Sequence, residues 1–405
     1  MPGMKLEASS LGDWPLDPAV TYLNHGAYGS CPHPIQEAAR AFRARFERAP
    51  MQFVLREVEG LLDQARAAAG TLLGAEADDL VFVTNATTAV NTVLASLSFD
   101  PGDELLVTDH AYNACRNALA FHAQRTGARV VVAKVPFPLA DVEEIIAAVM
   151  GAVTPRTRLA LLDHVSSPTA LVFPVELLVP ALAARGVDTL IDGAHAPGMV
   201  PVDLRAFRPT YYAANLHKWC CLPKTAAVLY VQRDRQPHLR PLVISHGANS
   251  PRSDRSRFRV EFDWTGTHDP SPAMSLPAAL DYLAGLLPGG LPALRARNHE
   301  LVVTARRQLA DALGVPLPCP DELLGSMAAL PLPTTPTATT PADLYETLWR
   351  RHQIEAPVYD WPAPGNPFIR VSAQIYNDES QYRRLAQVLI AELNLQDGVT
   401  DSSVV

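Results

Sequence analysis

The sequence predicts an α/β chain: a large, mostly parallel sheet of seven strands, followed by a small C-terminal α+β unit. Three observations predict it. Short β-branched runs alternate with helical stretches from Leu80 to about residue 232, the pattern of a parallel sheet buried on both faces. The length of 405 residues exceeds one minimal domain and falls short of three. An apolar share of 48% against a charged share of 19% gives a globular core and excludes a disordered chain.

Taken in order, residues 1–20 read as an extended lead-in with Pro15 and Pro18, and TYLNHGAYGSCPHP (21–34) reads as loop. From Ile35 to Gly74 apolar positions recur at helical spacing, with Leu61, Leu62, Ala65, Ala68 and Leu72 on one face. LVFVTN (80–85) is the first expected strand, followed by a helix from about Ala86 to Leu97. ELLVTD (104–109), RVVVAKV (129–135), TRLALLDHV (157–165), DTLIDGAH (188–195), YYAAN (211–215) and AAVLYVQ (226–232) are the other six. Helices are expected near 140–150 and 175–184. HGANSPRSDRSRFR (246–259) is polar and irregular, and its arginines read as a solvated loop. The large unit is expected over 20–287. The small one is expected over 288–395, packed with the N-terminal segment 1–19. In it, ELVVTARRQLADAL, TPADLYETLWRRHQ and ESQYRRLAQVLIAELN read as helices, and MAALPLP, IEAPVYD and FIRVSAQI as strands. Thr340 and Pro341 suit N-cap and N1 positions. The Pro/Thr-rich stretch 331–341 reads as a strand end plus loop, and QDGVTDSSVV as a frayed tail.

Composition excludes several function classes. The formal charge of −8 argues against a general affinity for nucleic acid or an anionic membrane. No run approaches the roughly 18 apolar residues of a membrane helix, and the N-terminus lacks the apolar core of a signal peptide. Five cysteines, with no C-x-x-C pair, fit neither a disulfide scaffold nor a zinc site, so no metal is expected and a reducing cytoplasmic setting is. Neither G-x-G-x-x-G nor G-x-x-x-x-G-K-[ST] occurs, which removes the dinucleotide and nucleoside triphosphate readings.

In an open parallel sheet, ligands sit beyond the carboxyl ends of the strands. The polar groups at those ends are Thr84, Asn85, Thr87, Thr88, Asp109, His110, Ser166, Ser167, Asp192, His195, Asn215, His217 and Lys218. NATTAVN stands where a strand turns into a helix, so its N–H groups and helix dipole favour an anion, although Asn85 or Thr87 acting only as a cap is the plainer reading of that motif alone. Asp192 and Lys218 are more telling. A buried carboxylate needs a partner, and a pyridinium nitrogen is one. A desolvated lysine beside it loses its proton near neutrality and forms a Schiff base. Only four lysines exist (Lys5, Lys134, Lys218 and Lys224), and only Lys218 follows a strand end within a polar cluster.

NATTAVN, DHAYNACRNA, DHVSSPTALVFPV, DGAHAPG, NLHKW, WTGTHDPS and RVSAQIYN together resemble fold-type I, class V pyridoxal phosphate enzymes. LNHGAYGSCP, MQFVLREVEGLLDQAR and PRTRLALLDHVSSPTALVFPVEL resemble the isopenicillin N epimerase-like branch, over roughly residues 20–390. The resemblance implies a fold-type I transferase architecture with pyridoxal 5'-phosphate as cofactor. It implies that Lys218 holds the cofactor and shuttles the Cα proton, that Asp192 pairs with the ring nitrogen, and that His195 lies near the phenolic oxygen. By the same resemblance Thr87 and Thr88 would bind the phosphate, with His217 and Asn215 helping. Thr267 would reach the phosphate of a neighbouring subunit, which implies a homodimer with shared sites. Arg370 would grip the substrate α-carboxylate by a bidentate fork, and Asn24 and His25 would line the substrate side. Arg56 is either a helix-face ion pair or a residue facing the active site. His110 and Tyr112 are rival candidates for stacking on the ring.

Two departures from the class matter. VYDWPAPGNPFIR carries no cysteine before the carboxylate-binding arginine, which speaks against a desulfurase. Ser167 stands where many members have an asparagine near the cofactor oxygen. The resemblance thus implies chemistry at the Cα of an amino acid or amino-acid side arm. Epimerisation needs an acid on the face away from Lys218, with Tyr112, His110 and His25 as candidates. A carbon–sulfur lyase or an aminotransferase would need the same lysine without that acid.

Overall fold

The computed structural model describes residues 12–333 and 340–395. The expectations for residues 1–11, for 334–339 and for the tail beyond 395 lie outside the described residues. Strands β1 (Leu80–Val83), β2 (Glu104–Thr108), β3 (Arg129–Ala133), β4 (Thr157–Asp163), β5 (Asp188–Asp192), β6 (Tyr211–Asn215) and β7 (Ala227–Val231) form one seven-stranded sheet. Its order is β1-β7-β6-β5-β4-β2-β3. Only β7 is antiparallel to its neighbours, β1 and β6; the other pairings are parallel. The carboxyl ends of six strands therefore meet along one edge, together with the entry to β7.

Strand periodicity explains why helices cover both faces. Leu105, Val107, Leu159, Leu161 and Leu190 point one way, into a core shared with Ala89, Val90 and Val93 of α3 (Ala86–Ser96) and Cys115, Ala118 and Leu119 of α4 (Asn113–Thr126). Leu106, Ala160, Leu162 and Ile191 point the other way, against Ile145 and Val149 of α5 (Val142–Gly151) and Leu178 and Leu182 of α6 (Val175–Ala183). The sheet is thus buried on both sides, as its near-continuous apolar runs require.

The helical stretch before β1 is broken rather than continuous. Helix α1 (His33–Arg48) stops ahead of Pro50, a π-helical turn follows over Phe53–Glu57, and α2 (Val58–Leu73) ends at Gly74 with φ 59°. The arginine-rich loop is not simply solvated. Arg252, Arg255 and Arg259 pair with Glu59, Asp63, Asp78 and Asp263, and Arg257–Phe262 is a short helix capped by Ser256. Those guanidinium groups are spent on the protein's own carboxylates.

In the C-terminal part, β8 (Met327–Pro331), β9 (Val358–Asp360) and β10 (Pro367–Ser372) form an antiparallel sheet in the order β9-β10-β8. Helices α7 (Gly290–Leu313), α8 (Pro341–His352) and α9 (Glu379–Glu392) accompany it. IEAPVYD divides in two: Ile354–Glu355 pairs in parallel with Thr21–Tyr22, and Val358–Asp360 is β9. Pro357 stands between them and has no N–H to donate. The Leu23 N–H reaches the Glu355 carbonyl at 3.0 Å and the Ser372 N–H reaches the Leu23 carbonyl at 2.7 Å. This clip carries Asn24 and His25 to β10, and so to Arg370. Among the described residues no helix is long and apolar enough to cross a membrane.

Candidate active site

At the carboxyl edge of the large sheet lies a cavity of about 340 Å³, lined by Thr87, Tyr112, Asp163, Ser167, Asp192, His195, Asn215, His217 and Lys218, among others. Lys218 leaves β6 on the short loop that leads to β7. Its ammonium is lowered to about 7, first by burial, then by the Arg370 cation, against the pull of Asp192 and Cys115. Lys218 Nζ lies 3.0 Å from His195 Nε2. His195 is held well below the ordinary imidazole range by burial and by the nearby cations, so it is neutral. Its Nδ1 is buried with no partner among the described residues.

Asp192 ends β5 and is 4% exposed. Its Oδ1 accepts the Ala194 N–H at 3.0 Å and its Oδ2 accepts the Cys115 S–H at 3.0 Å. Both oxygens of this buried carboxylate are thus occupied by donors. Gly193 is obligatory beside it, because a Cβ there would sit 2.2 Å from the Tyr212 ring.

Helix α3 opens onto the same cavity. Asn85 caps it by accepting the Thr88 N–H at 2.8 Å, and Asn215 Oδ1 accepts the Ala86 N–H at 2.9 Å. Thr87 lines the cavity at the first turn of this helix, where the free N–H groups and the dipole of the terminus favour an anion. The expected threonine pair is therefore divided. Thr88 donates its hydroxyl to Asn85 and lines a neighbouring cavity of about 490 Å³. Asn215 lines the cavity and also holds the first turn of α3 by accepting the Ala86 N–H. His217 lines the cavity, its Nδ1 3.2 Å from the Ala226 carbonyl, and burial lowers it to about 4.

Arg370 rises from β10 and is 7% exposed. Its Nη1 donates to the Ser167 carbonyl at 2.6 Å and its Nη2 to Asn24 Oδ1 at 3.3 Å, while its Nε is buried without a partner among the described residues. Ser167 braces the guanidinium with its side chain as well, its Oγ accepting from Nη1 at 3.2 Å, which gives the serine hydroxyl a use at that place. Asn24 is fixed in turn by donating to Glu355 Oε1 at 3.0 Å.

Arg370 and Asn24, like Thr88, are not among the residues that line this cavity, although the Arg370 cation acts on Lys218. Four further expected site residues stand elsewhere. His110 is fully buried, its nitrogens 2.7 Å from Thr169 Oγ1 and 3.1 Å from the Val135 carbonyl, with Phe137, Phe173 and Trp361 around the ring. It does not reach the cavity wall; Tyr112, two residues on, does. His25 is also fully buried, between Tyr376 Oη (2.8 Å) and the Lys218 carbonyl (3.0 Å), and burial lowers it to about 3. It supports the Lys218 backbone rather than lining the substrate side. Arg56 is exposed in the π-helical turn, and Thr267 is exposed in the loop before Asp269; neither lines the cavity.

Asp163, Tyr28 and Lys224 line the cavity and were not among the expected residues. Asp163 obeys the same strand-end rule that picks out Asp192. Lys224, whose Nζ donates to the Gly29 carbonyl at 3.3 Å, enters because the antiparallel β7 begins at this edge. Lys134 is exposed and pairs loosely with Asp109 at 3.8 Å.

A depressed lysine, a doubly supported carboxylate, an unpartnered buried imidazole nitrogen and an open helix terminus fit pyridoxal phosphate in amine, ring-nitrogen, phenolic and phosphate contacts respectively. Residues 22–384 match the Aminotransferase class-V family, and the chain belongs to it. It is a pyridoxal phosphate-dependent enzyme acting at the Cα of an amino acid or amino-acid side arm, with the fold-type I architecture.

Among particular relatives, the isopenicillin N epimerase of Streptomyces clavuligerus is 39% identical over 93% of this chain and 96% of its own. That of Amycolatopsis lactamdurans is 37% identical over 92% and 95%. A probable chloroplastic L-cysteine desulfhydrase of Arabidopsis thaliana is 31% identical over 92% and 83%. The apo cysteine desulfurase of Thermococcus onnurineus NA1 superposes with a TM-score of 0.77 at 19% identity, covering 97% of this chain and all of that one, a likeness of fold.

Proposed function

We propose that this enzyme inverts the configuration at Cα of its substrate, as an epimerase. The observation that carries the reading is that one cavity is lined by two proton-bearing side chains, Lys218 with an amine near neutrality and Tyr112 with a phenol that burial keeps protonated. The two epimerase relatives support it.

The bound pyridoxal ring supplies the electron sink for charge left at Cα. Asp192 holds the proton on the ring nitrogen. Thr87 and the α3 terminus take the phosphate, with His217 alongside. Neutral His195 meets Lys218 Nζ, so the lone pair stays directed into the cavity. Arg370, braced by Ser167 and Asn24, grips the substrate α-carboxylate and so fixes which Cα bond faces Lys218. Lys218 removes the Cα proton, and Tyr112 returns a proton from the other side.

The second reading is a carbon–sulfur lyase, favoured by the desulfhydrase relatives. It needs Lys218 without a second acid. Proton NMR in heavy water separates them with Tyr112→Phe. An epimerase variant exchanges the Cα proton but loses inversion. A lyase keeps releasing keto acid and thiol at an undiminished rate, which would sink the epimerase reading.

The reading also includes a homodimer in a cytoplasmic setting. Leu242, Val243 and Ile244 are 49%, 59% and 59% exposed. Leu242 and Val243 line the larger cavity together with Thr84, Thr88 and Thr225, which supports this apolar strip as the seam of the homodimer. An active monomer in sedimentation at assay concentration would refute the shared site.

A further inference from the structure

The cavity holds one more carboxyl than a single ring nitrogen requires. Asp163 closes β4 and Asp192 closes β5, and the two are direct partners in the parallel ladder. Such partners project to the same face, so the two side chains lie next to each other. Both line the cavity, at 3% and 4% exposure. Neighbouring buried carboxyls cannot both carry charge, since each would meet the other in a medium that screens weakly.

The surroundings decide where the charge stays. Asp192 receives the Ala194 N–H and the Cys115 S–H. Asp163 keeps one oxygen, Oδ2, buried with no partner among the described residues. An unsolvated, unpartnered oxygen is tolerable on a neutral acid and costly on an anion.

We propose that Asp163 is a positioning residue that stays protonated, confining the pair to a single negative charge held on Asp192 and aimed at the ring nitrogen. Cys115 completes the array by donating to Asp192 from the far side. The charge distribution belongs to the protein alone; only its use toward the ring nitrogen rests on the functional reading above. A second charge at Asp163 would raise Lys218 out of the neutral range and hold the ring-nitrogen proton more tightly, so the acid form of Asp163 tunes both partners of the cofactor.

The titratable groups around Asp163 agree. Burial, and then Asp192 from β5, push its carboxyl well above the usual range, while the backbone N–H groups of Tyr112 and Asp163 pull the other way. The Cys115 thiol on α4 is raised by burial, then by Asp192, with a smaller push from Asp163 itself, so it donates rather than ionises. Lys218 beyond Asp192 is the nearby cation of the array, neutral His195 contributes no charge, and Tyr212 on β6 is held protonated by burial and by Asp192.

Infrared difference spectroscopy tests this in both the cofactor-free and the loaded protein. The wild type shows a carboxylic-acid C=O stretch at neutral pH that shifts in heavy water. Asp163→Asn, which keeps the shape, removes it. Asp192→Asn removes the neighbouring charge and lowers the titration midpoint of the band by about two pH units, a hundredfold change in proton affinity. A band that survives Asp163→Asn, a midpoint unmoved by Asp192→Asn, or no such band in the wild type overturns the proposal. Cys115→Ala leaves Asp163 in place and covers the case in which Asp163→Asn does not fold. Loss of the pair's first proton then moves to higher pH and Cys115→Ser restores it, whereas no movement also overturns the proposal. Unchanged bands together with failure to bind pyridoxal phosphate would refute the cofactor reading alone.

Discussion

Cofactor loading onto Lys218 should be half-maximal near neutral pH, because the ammonium is lowered from 10.5 to about 7. That displacement corresponds to about 5 kcal/mol against the charged form. At pH 7 about half of the Lys218 population is free amine, against roughly one in three thousand for an ordinary lysine. Burial is the largest cause and Arg370 the next, with Asp192 and Cys115 opposing. The perturbation is Arg370→Met, which deletes the cation and keeps a long stem. A guanidinium interaction of about 1.4 kcal/mol, reasonable for a partly screened site, moves the midpoint up by about one pH unit. Asp192→Asn moves it down. The assay follows absorbance on mixing cofactor-free protein with pyridoxal phosphate across about pH 5 to 10. A wild-type midpoint near that of free lysine, or movement in the same direction in both variants, would refute the reasoning. Stability follows the same titration. The unfolded chain binds the Lys218 proton up to about 10.5 and the folded chain only up to about 7, so Lys218 makes the cofactor-free protein more stable as pH rises through that window. Urea midpoints should show this gain, and Lys218→Met should remove it.

Gly29→Ala should slow loading and destabilise the fold by about 1–3 kcal/mol, since φ is 69° there and a Cβ would meet the His217 carbonyl at 2.3 Å and the Lys218 carbonyl at 2.8 Å; loading kinetics and urea unfolding check both. Arg66 is 1% exposed and joins the Leu80 carbonyl, Asp63 and Asp263, so Arg66→Met should cost about 3 kcal/mol in urea unfolding by stranding buried partners. Asn85→Ala should cost about 1 kcal/mol in thermal unfolding through the lost cap on Thr88, with Asn85→Ser recovering most of it.

Much of the fold was legible because its signals are local. Alternation of apolar runs with helical stretches marks seven strands, and each strand's own periodicity divides its residues between two faces. Lys218 and Asp192 stood out for related reasons: lysine is scarce, and both residues follow strand ends, where an open sheet binds ligands. The parts that were not legible depend on segments far apart in the chain. His110 and Tyr112 are two residues apart in one loop, and nothing local says which turns inward. Phe137, Phe173 and Trp361 close over His110 and leave Tyr112 at the cavity. His25 reads as a polar loop residue until Tyr376 and the Lys218 carbonyl enclose it. Asp163 looks like any strand-end acid until the ladder sets it against Asp192.

By itself, then, the sequence determined the sheet, the strand-end chemistry and the lysine that carries it, since these follow from residue type and short-range spacing. The tertiary structure alone decided which side chains share the cavity and where protons and charge reside. Register, loop direction and burial arise from contacts between residues up to some 350 positions apart, such as His25 with Tyr376, and a local pattern holds no record of them.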